Sequence, residues 1–328
     1  GFKPFALGTK VKSGEKYYYN NRGKNLFLFV IGSESVENGI RITAAHIDSP
    51  RLDLKPCPLY EDNGISYLKT HYYGGIRKYQ WLTIPLALHG VITKADGTTV
   101  SVSIGENEDD PVFFINDLLP HLSHGDDSKP LGSAFSGEKL NAVAGSFSED
   151  FKEEQPVKLE TMRLLNEKFG ITEEDFISSE LCFVPAMKAR DVGLDRSMIG
   201  GYGHDDRVCA YPALTALFAE KAPKHTLMCV LADKEEIGSV GATGMRCELI
   251  LDLIDGIAQS FNVDPAVVRA HSKCVSSDVA ADYDPDYADV FEKRNASMIN
   301  CGVTVCKYTG SRGKSGSNDA SAEFIGED

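Results

Sequence analysis

Three short apolar runs set the pattern of this chain: residues 26–31, residues 40–45 and, far downstream, residues 227–232. Each is bounded by polar or turn-forming residues and shows little alternation. Runs of this kind read as strands covered on both faces, as in a parallel sheet. Between them the texture changes. From about residue 56, short β-like runs follow one another at 65–73, 82–93, 98–104 and 112–115, and strand character returns at 178–185. Regular short strands separated by turns such as Ala95-Asp96-Gly97 predict a β-rich module. The polar stretch 123–151 reads as a long exposed loop.

Helical periodicity appears in three places. Leu159, Met162, Leu165 and Phe169 share a face over 160–169; Leu214, Leu217 and Phe218 do so over 209–221; Leu249, Leu253 and Ile257 do so over 247–261. A further strand is expected at 303–308, then a Gly/Ser loop over 311–321, with a helix beginning at Asn318-Asp319. The pattern predicts an α/β unit, residues 1–55 and 187–328, interrupted by a β-rich unit over 56–186. Its sheet should be mixed, mainly parallel and flanked by helices.

Composition narrows the function. A chain of 328 residues with 42% hydrophobic and 25% charged residues buries a sizeable core. A net charge of −14 lacks the basic footprint that nucleic acid requires. No apolar stretch reaches membrane-spanning length. The eight cysteines form no CxxC pair and read as reduced thiols of a cytoplasmic protein. The chain opens Gly-Phe-Lys-Pro-Phe, without Met or a signal-peptide pattern, and stops in what reads as a new helix. Both ends are therefore expected to be cut.

The chemistry sits where strands end. Glu235 and Glu236 follow the run 227–232 directly. Side chains adjacent in a strand point to opposite faces, so both acids serve one site only if the strand has stopped, as Gly238 and Gly241 indicate. Two such charges in a cleft repel; a bound cation reverses that penalty. His46 and Asp48 end the run 40–45, where the Asp can orient the imidazole. Asp205 and Asp206 precede the helix at 209–221, and Asp278 follows a short strand. Each feature alone has a plain alternative: a solvated acidic loop, a core His beside a turn Asp, acids at a helix N-terminus, a turn residue. Their joint recurrence at matching strand ends points instead to a catalytic site for Zn, Mn or Co built from His and carboxylates.

With Thr43-Ala-Ala-His-Ile-Asp-Ser-Pro-Arg51, Gly203-His-Asp-Asp-Arg-Val208, Asp233-Lys-Glu-Glu-Ile-Gly-Ser239, Ser276-Ser-Asp278 and Lys314-Ser-Gly-Ser-Asn-Asp-Ala320, the chain resembles the M18 aminopeptidases along essentially its whole length. The resemblance implies the co-catalytic di-metal peptidase fold, in which 56–186 is an inserted dimerisation domain. It implies two divalent metals, zinc first, with His46 and Asp278 on one, Glu236 on the other and Asp205 bridging. Glu235 would be the general base and Asp48 the partner of His46. The Asp205–Asp206 peptide is then a candidate for the cis form. The family pattern continues past Asp328 to a further His ligand, so a chain ending here is expected to hold at most one metal tightly, to have little activity and to aggregate.

The reaction so implied is removal of N-terminal residues, acidic or neutral, from peptides by a metal-bridging water. Arg51, Arg77 and Arg207 are the cations that an acidic side chain could meet. The expected partners are peptide substrate and further copies of the chain, a dimer building block or a dodecamer. The competing readings are another di-metal hydrolase, such as a carboxypeptidase or deacylase, and a non-catalytic assembly or cargo-binding relative.

Overall fold

The computed structural model describes residues 1–123, 125, 128–149, 152–306 and 312. The chain begins with β1 (Lys3–Pro4), β2 (Lys16–Asn21), β3 (Asn25–Val30) and β4 (Ile40–His46). It then leaves for a second sheet: β5 (Arg51–Asp62), β6 (Ile65–Tyr73), β7 (Leu86–Thr93) and β8 (Thr99–Ile104), then α1 (Leu131–Ala134), β9 (Ala142–Gly145), α2 (Pro156–Phe169) and β10 (Ser179–Pro185). A small hairpin, β11 (Arg190–Val192) and β12 (Met198–Gly200), leads to α3 (His204–Ala219) and back to the first sheet through β13 (Thr226–Ala232). α4 (Leu249–Ser260), α5 (Pro265–His271) and β14 (Lys273–Ser276) follow.

The first sheet has the order β1-β2-β3-β13-β4-β14. β1–β2, β13–β4 and β4–β14 are parallel, while β2–β3 and β3–β13 are antiparallel. Strand β13 shows why the sheet is covered on both faces. Met228, Val230 and Ala232 point into a core with Phe27, Phe29, Ile40, Ile42 and the α4–α5 residues Leu253, Ile257 and Val268. The alternate residues Cys229 and Leu231 join Leu28, Val30 and Ala45 under Ala210, Ala213 and Leu217 of α3. Successive side chains of a strand serve opposite layers, so one near-continuous apolar run feeds two cores.

The second sheet, β8-β7-β10-β5-β6-β9, is antiparallel throughout. Its own core gathers Leu52, Leu68, Leu86, Leu88, Ile92, Phe176 and Phe183, with Met162, Leu165 and Phe169 of α2 packed against it. It takes in Arg51–Lys55, five positions earlier than the change of texture at residue 56.

Several local expectations need correction. The 123–151 stretch is not all loop: it holds α1 and β9, and Leu140 and Ala142 are buried because β9 pairs with β6. Leu159 lies outside the buried face of α2, where Val157 and Thr161 point inward. Phe218 is half exposed, and Ala210 and Ala213 accompany Leu217 in the core instead. The run 112–115 makes isolated bridges through Phe113 and Phe114 rather than a strand. Residues 303–306 are not a strand; the rest of that run, the motif from Lys314 to Ala320 and the helix start at Asn318 lie outside the described residues.

Candidate metal and catalytic centre

Three neighbouring parallel strands, β13, β4 and β14, end at one edge of the first sheet, and the register brings their ends level. Ala232 pairs with His46 and Ser276 with Ala44; beyond them Ile47 N donates to Ala232 O (2.8 Å) and Ser277 N to Ala44 O (2.8 Å). His46, Glu235–Glu236 and Asp278 therefore meet beyond the carboxyl edge, where ligands bind in sheets of this kind. β13 stops sharply. Lys234 and Gly238 both take left-handed backbone angles (φ 65° and 85°) on either side of a single 3₁₀ turn, Glu235–Ile237, which turns both acids toward the same space. Asp233 closes the loop by accepting from Thr243 Oγ1 (2.6 Å).

Asp205 comes from the start of α3, but not as a capping acid. Gly203 occupies the N-cap position without a side-chain cap bond, and Asp205 (ψ 109°) departs from helical geometry. The Asp205–Asp206 peptide is cis. Ser49 Oγ donates to Asp205 O (3.0 Å), tying this turn to the loop after β4.

The distances are short. His46 Nε2 lies 3.0 Å from Asp205 Oδ1, 3.7 Å from Asp278 Oδ1 and 4.0 Å from Glu235 Oε2. Two trios have ligand atoms within 4.8 Å of one another: His46, Asp205 and Asp278; and His46, Glu235 and Glu236. The other imidazole nitrogen, Nδ1, lies 2.9 Å from the Asp48 carbonyl oxygen and 3.4 Å from its carboxylate. The Asp48 carboxylate does more than face the imidazole. Oδ1 accepts from Glu235 N (3.1 Å), and Oδ2 accepts from Glu236 N (3.2 Å) and from Tyr73 Oη (2.7 Å).

Charge is crowded here. Burial, then the negative charges of Asp278, Asp48 and Asp205, push the Glu235 carboxyl up, with His46 opposing them. Burial, then Asp205, Glu235 and Asp48, raise Glu236 to about 6. Burial also raises Asp206, which is fully buried; among the described residues the Cys209 thiol, a weak donor, is all that its oxygens meet. For His46 burial acts downward, but the Asp48 carbonyl and the charges of Asp48, Asp278 and Asp206 outweigh it and raise the imidazole. Carboxylates this close to one imidazole, with a buried orphan behind them, form a donor set whose repulsion a divalent cation would offset. The residues fit a metal.

A family model described as aminopeptidase I zinc metalloprotease (M18) matches residues 5–327. The chain belongs to the M18 family of aminopeptidases. A probable M18 family aminopeptidase 1 of Clostridium acetobutylicum is 51% identical over 327 residues, covering 98% of this chain and 70% of the relative. The crystal structure of aminopeptidase I from that organism superposes with a TM-score of 0.89 at 50% identity, over 97% of this chain and 70% of the other. The M18 aminopeptidase of Thermotoga maritima gives a TM-score of 0.88 at 45% identity, over 95% and 69%. This chain is thus a metal-dependent aminopeptidase with the mixed α/β architecture of those structures.

Within this M18 chain, the sequence motifs pointed to His46, Asp48, Asp205, Glu235, Glu236 and Asp278, and the structure brings all of them together. Reading the sequence alone missed Ser49, which carried only a turn signal, and Tyr73, which looked like one more aromatic on a β-rich run. Of the arginines considered for an acidic side chain, Arg51 is taken up: its Nε donates to Asp53 Oδ1 (2.7 Å) and its guanidinium lies 3.7 Å from the Tyr73 ring centre. Arg207 donates to Gly203 O (3.3 Å) and reaches Ser49 Oγ (3.5 Å). Arg77 is exposed and has no carboxylate within salt-bridge distance among the described residues.

Proposed function

We propose that this M18 chain removes N-terminal residues from peptides at a two-metal centre in which His46, Asp205 and Asp278 hold one ion and Asp205 and Glu236 the other, while Glu235 is the general base. One observation carries the division of roles: His46 has a single nitrogen to give. Nδ1 is engaged by the Asp48 carbonyl at 2.9 Å, so Nε2 serves one ion only. The trio with Asp205 and Asp278 claims it, since Asp205 Oδ1 is the nearest carboxylate oxygen. A second ion is then left to carboxylates, Glu236 together with the other oxygen of Asp205, whose charge acts on Glu236. That leaves Glu235, 4.0 Å from Nε2, free to handle protons.

A bound divalent metal, zinc by the family's description, supplies Lewis acidity and lowers the pKa of water near it. Glu235 accepts the proton of the attacking water on a carboxylate oxygen and passes it to the departing amine. Asp48 holds the amides of both glutamates, so the base and its neighbour keep one relative position. The acidic residues around the centre also suit the free α-ammonium of a peptide. Arg77 and Arg207, neither paired with a carboxylate among the described residues, are the cations left for an acidic first side chain, so Asp or Glu is expected as the preferred N-terminal residue and neutral residues as slower ones.

The 56–186 unit is proposed to carry contacts between copies, dimers being the building block, because Leu118, Leu119 and Leu122 stand 51, 51 and 64% exposed there. The described cysteines Cys57, Cys182, Cys209, Cys229, Cys247, Cys274 and Cys301 are free thiols, in keeping with a cytoplasmic setting. No helix of the described residues is long and apolar enough to cross a membrane.

A panel of matched peptides tests the reading: Asp-, Glu-, Ala- and Leu-initiated, each free or N-acetylated. Cleavage of the first bond only in the free series, fastest with Asp or Glu, is the expected result. Equal cleavage of acetylated peptides would point to a deacylase or endopeptidase instead.

A further inference from the structure

We infer that Tyr73, on the second sheet, is a positioning residue for the Glu235–Glu236 turn, acting through the Asp48 carboxylate; this rests on the assignment of Glu235 as base. Three observations carry it. The Tyr73 hydroxyl is buried and donates to Asp48 Oδ2 at 2.7 Å, the same oxygen that receives Glu236 N. Its ring is pinned from the other side: Tyr73 pairs with Arg51 across β5 and β6, and the Arg51 guanidinium, held by Asp53, stacks on it at 3.7 Å. The next residue, Gly74 (φ 78°), passes so close to the turn that a Cβ would meet Glu236 Cβ at 3.3 Å and Pro50 Cα at 3.4 Å.

A carboxylate that accepts from two backbone amides and one hydroxyl is fixed only as firmly as its donors. The two amides belong to the glutamates that Asp48 is meant to hold. They cannot anchor it independently, because they move with the turn. Tyr73 is the donor that comes from another sheet, with its own core behind it. It gives Asp48 a reference outside the turn and so sets where both glutamates stand. The second sheet therefore enters the active centre through one hydroxyl.

The test removes that hydroxyl alone. Tyr73→Phe keeps the ring and its stacking on Arg51. With zinc saturating, kcat should fall about 10–100-fold with KM within about twofold of native, the range seen when partners that orient ligands are lost. Zinc affinity, measured by chelator competition without substrate, should fall as well, since the amide of Glu236 hangs on Asp48. Adding Tyr73→Phe to Asp48→Asn should cost little more than Asp48→Asn alone, because both act at one point. Tyr67→Phe, on the same strand, should leave kcat and zinc affinity unchanged. Native kcat and zinc affinity in Tyr73→Phe, or losses that add in full to those of Asp48→Asn, would overturn the inference. Glu235→Gln run alongside separates the two claims. Lost turnover there with a native Tyr73→Phe sinks only the role of Tyr73, whereas native turnover in Glu235→Gln sinks the base assignment on which it stands.

Discussion

The two sheets of this molecule are built from similar material and differ in what their strand ends can do. Each packs buried apolar side chains of its own, in two layers around the first sheet and one against the second. In the first sheet, β13, β4 and β14 run the same way, so three consecutive strand ends fall on one edge and deliver His46, Glu235–Glu236 and Asp278 to one place. In the second, every neighbour runs the opposite way, so strand ends alternate between two edges. Its polar residues are dispersed, and the described residues hold no further cluster that could bind a metal. Parallel pairing concentrates chemistry; antiparallel pairing distributes it and leaves a scaffold.

The sharpest way to break this contrast is at Glu235. Glu235→Gln keeps the size and the backbone amide that Asp48 holds, and removes only the capacity to take a proton. We expect kcat to fall by about 10²–10⁴-fold with the metal content intact. Metal analysis on the same sample as the kinetics decides it: normal turnover with full metal would return Glu235 to the status of a bystander.

The cores should behave alike where the edges do not. Phe29 and Phe183 are both fully buried, one beneath each sheet. Replacing either with Ala removes a ring from a packed interior and should cost about 3–5 kcal/mol. Denaturant melts of the two variants should show losses of the same order, with the kcat of the folded fraction preserved in both. A catalytic effect from Phe183→Ala at full folding would mean that the second sheet reaches the centre by more than the Tyr73 hydroxyl.

A good part of this was readable from the sequence, and physics explains which part. β6 falls on the predicted run, and β3, β4 and β13 fall within a residue of theirs, the last three because buried strands announce themselves as apolar runs. Asp48, Glu235 and Glu236 were legible because they sit just after those runs. β5 was not legible: its burial is patchy, Pro56 and Pro58 interrupt it, and its pairing shifts register between Leu54 and Leu59. Partners such as Tyr73 and Ser49 were not legible for another reason. Tyr73 lies 25 positions from Asp48, and Ser49 reaches Asp205 across 156. Nothing local in a Tyr or a Ser records a contact made through tertiary structure.

Asp205 tests the middle of the range. Asp205→Asn keeps the shape of the side chain and removes the charge nearest to His46 Nε2. If it bridges two ions, a neutral amide weakens both sites, and zinc affinity should drop by at least about 10-fold at each, as losing support around a ligand already does. Titration with a chelator should show two weakened classes of site. Two ions still held at native affinity would remove Asp205 from the bridge.

The smallest expected effect comes from the pair that most resembles the active centre in chemistry. On the second sheet His89 Nε2 meets Glu106 Oε1 at 2.7 Å, closer than His46 meets Asp205. An imidazole and a carboxylate in contact are thus not what makes a site. His89 and Glu106 are 31 and 48% exposed, so water screens them and their attraction is worth no more than about 1 kcal/mol. His46 is 4% exposed, and its neighbours are tied to other elements, Asp205 O by the Ser49 hydroxyl and the Asp48 carboxylate by the Glu235 amide. Glu106→Gln should therefore shift the unfolding free energy by less than about 1 kcal/mol and leave zinc binding and turnover at native values. A large loss of either would show that strand direction does not decide where this chain keeps its chemistry, because an antiparallel edge would then hold a second centre of its own.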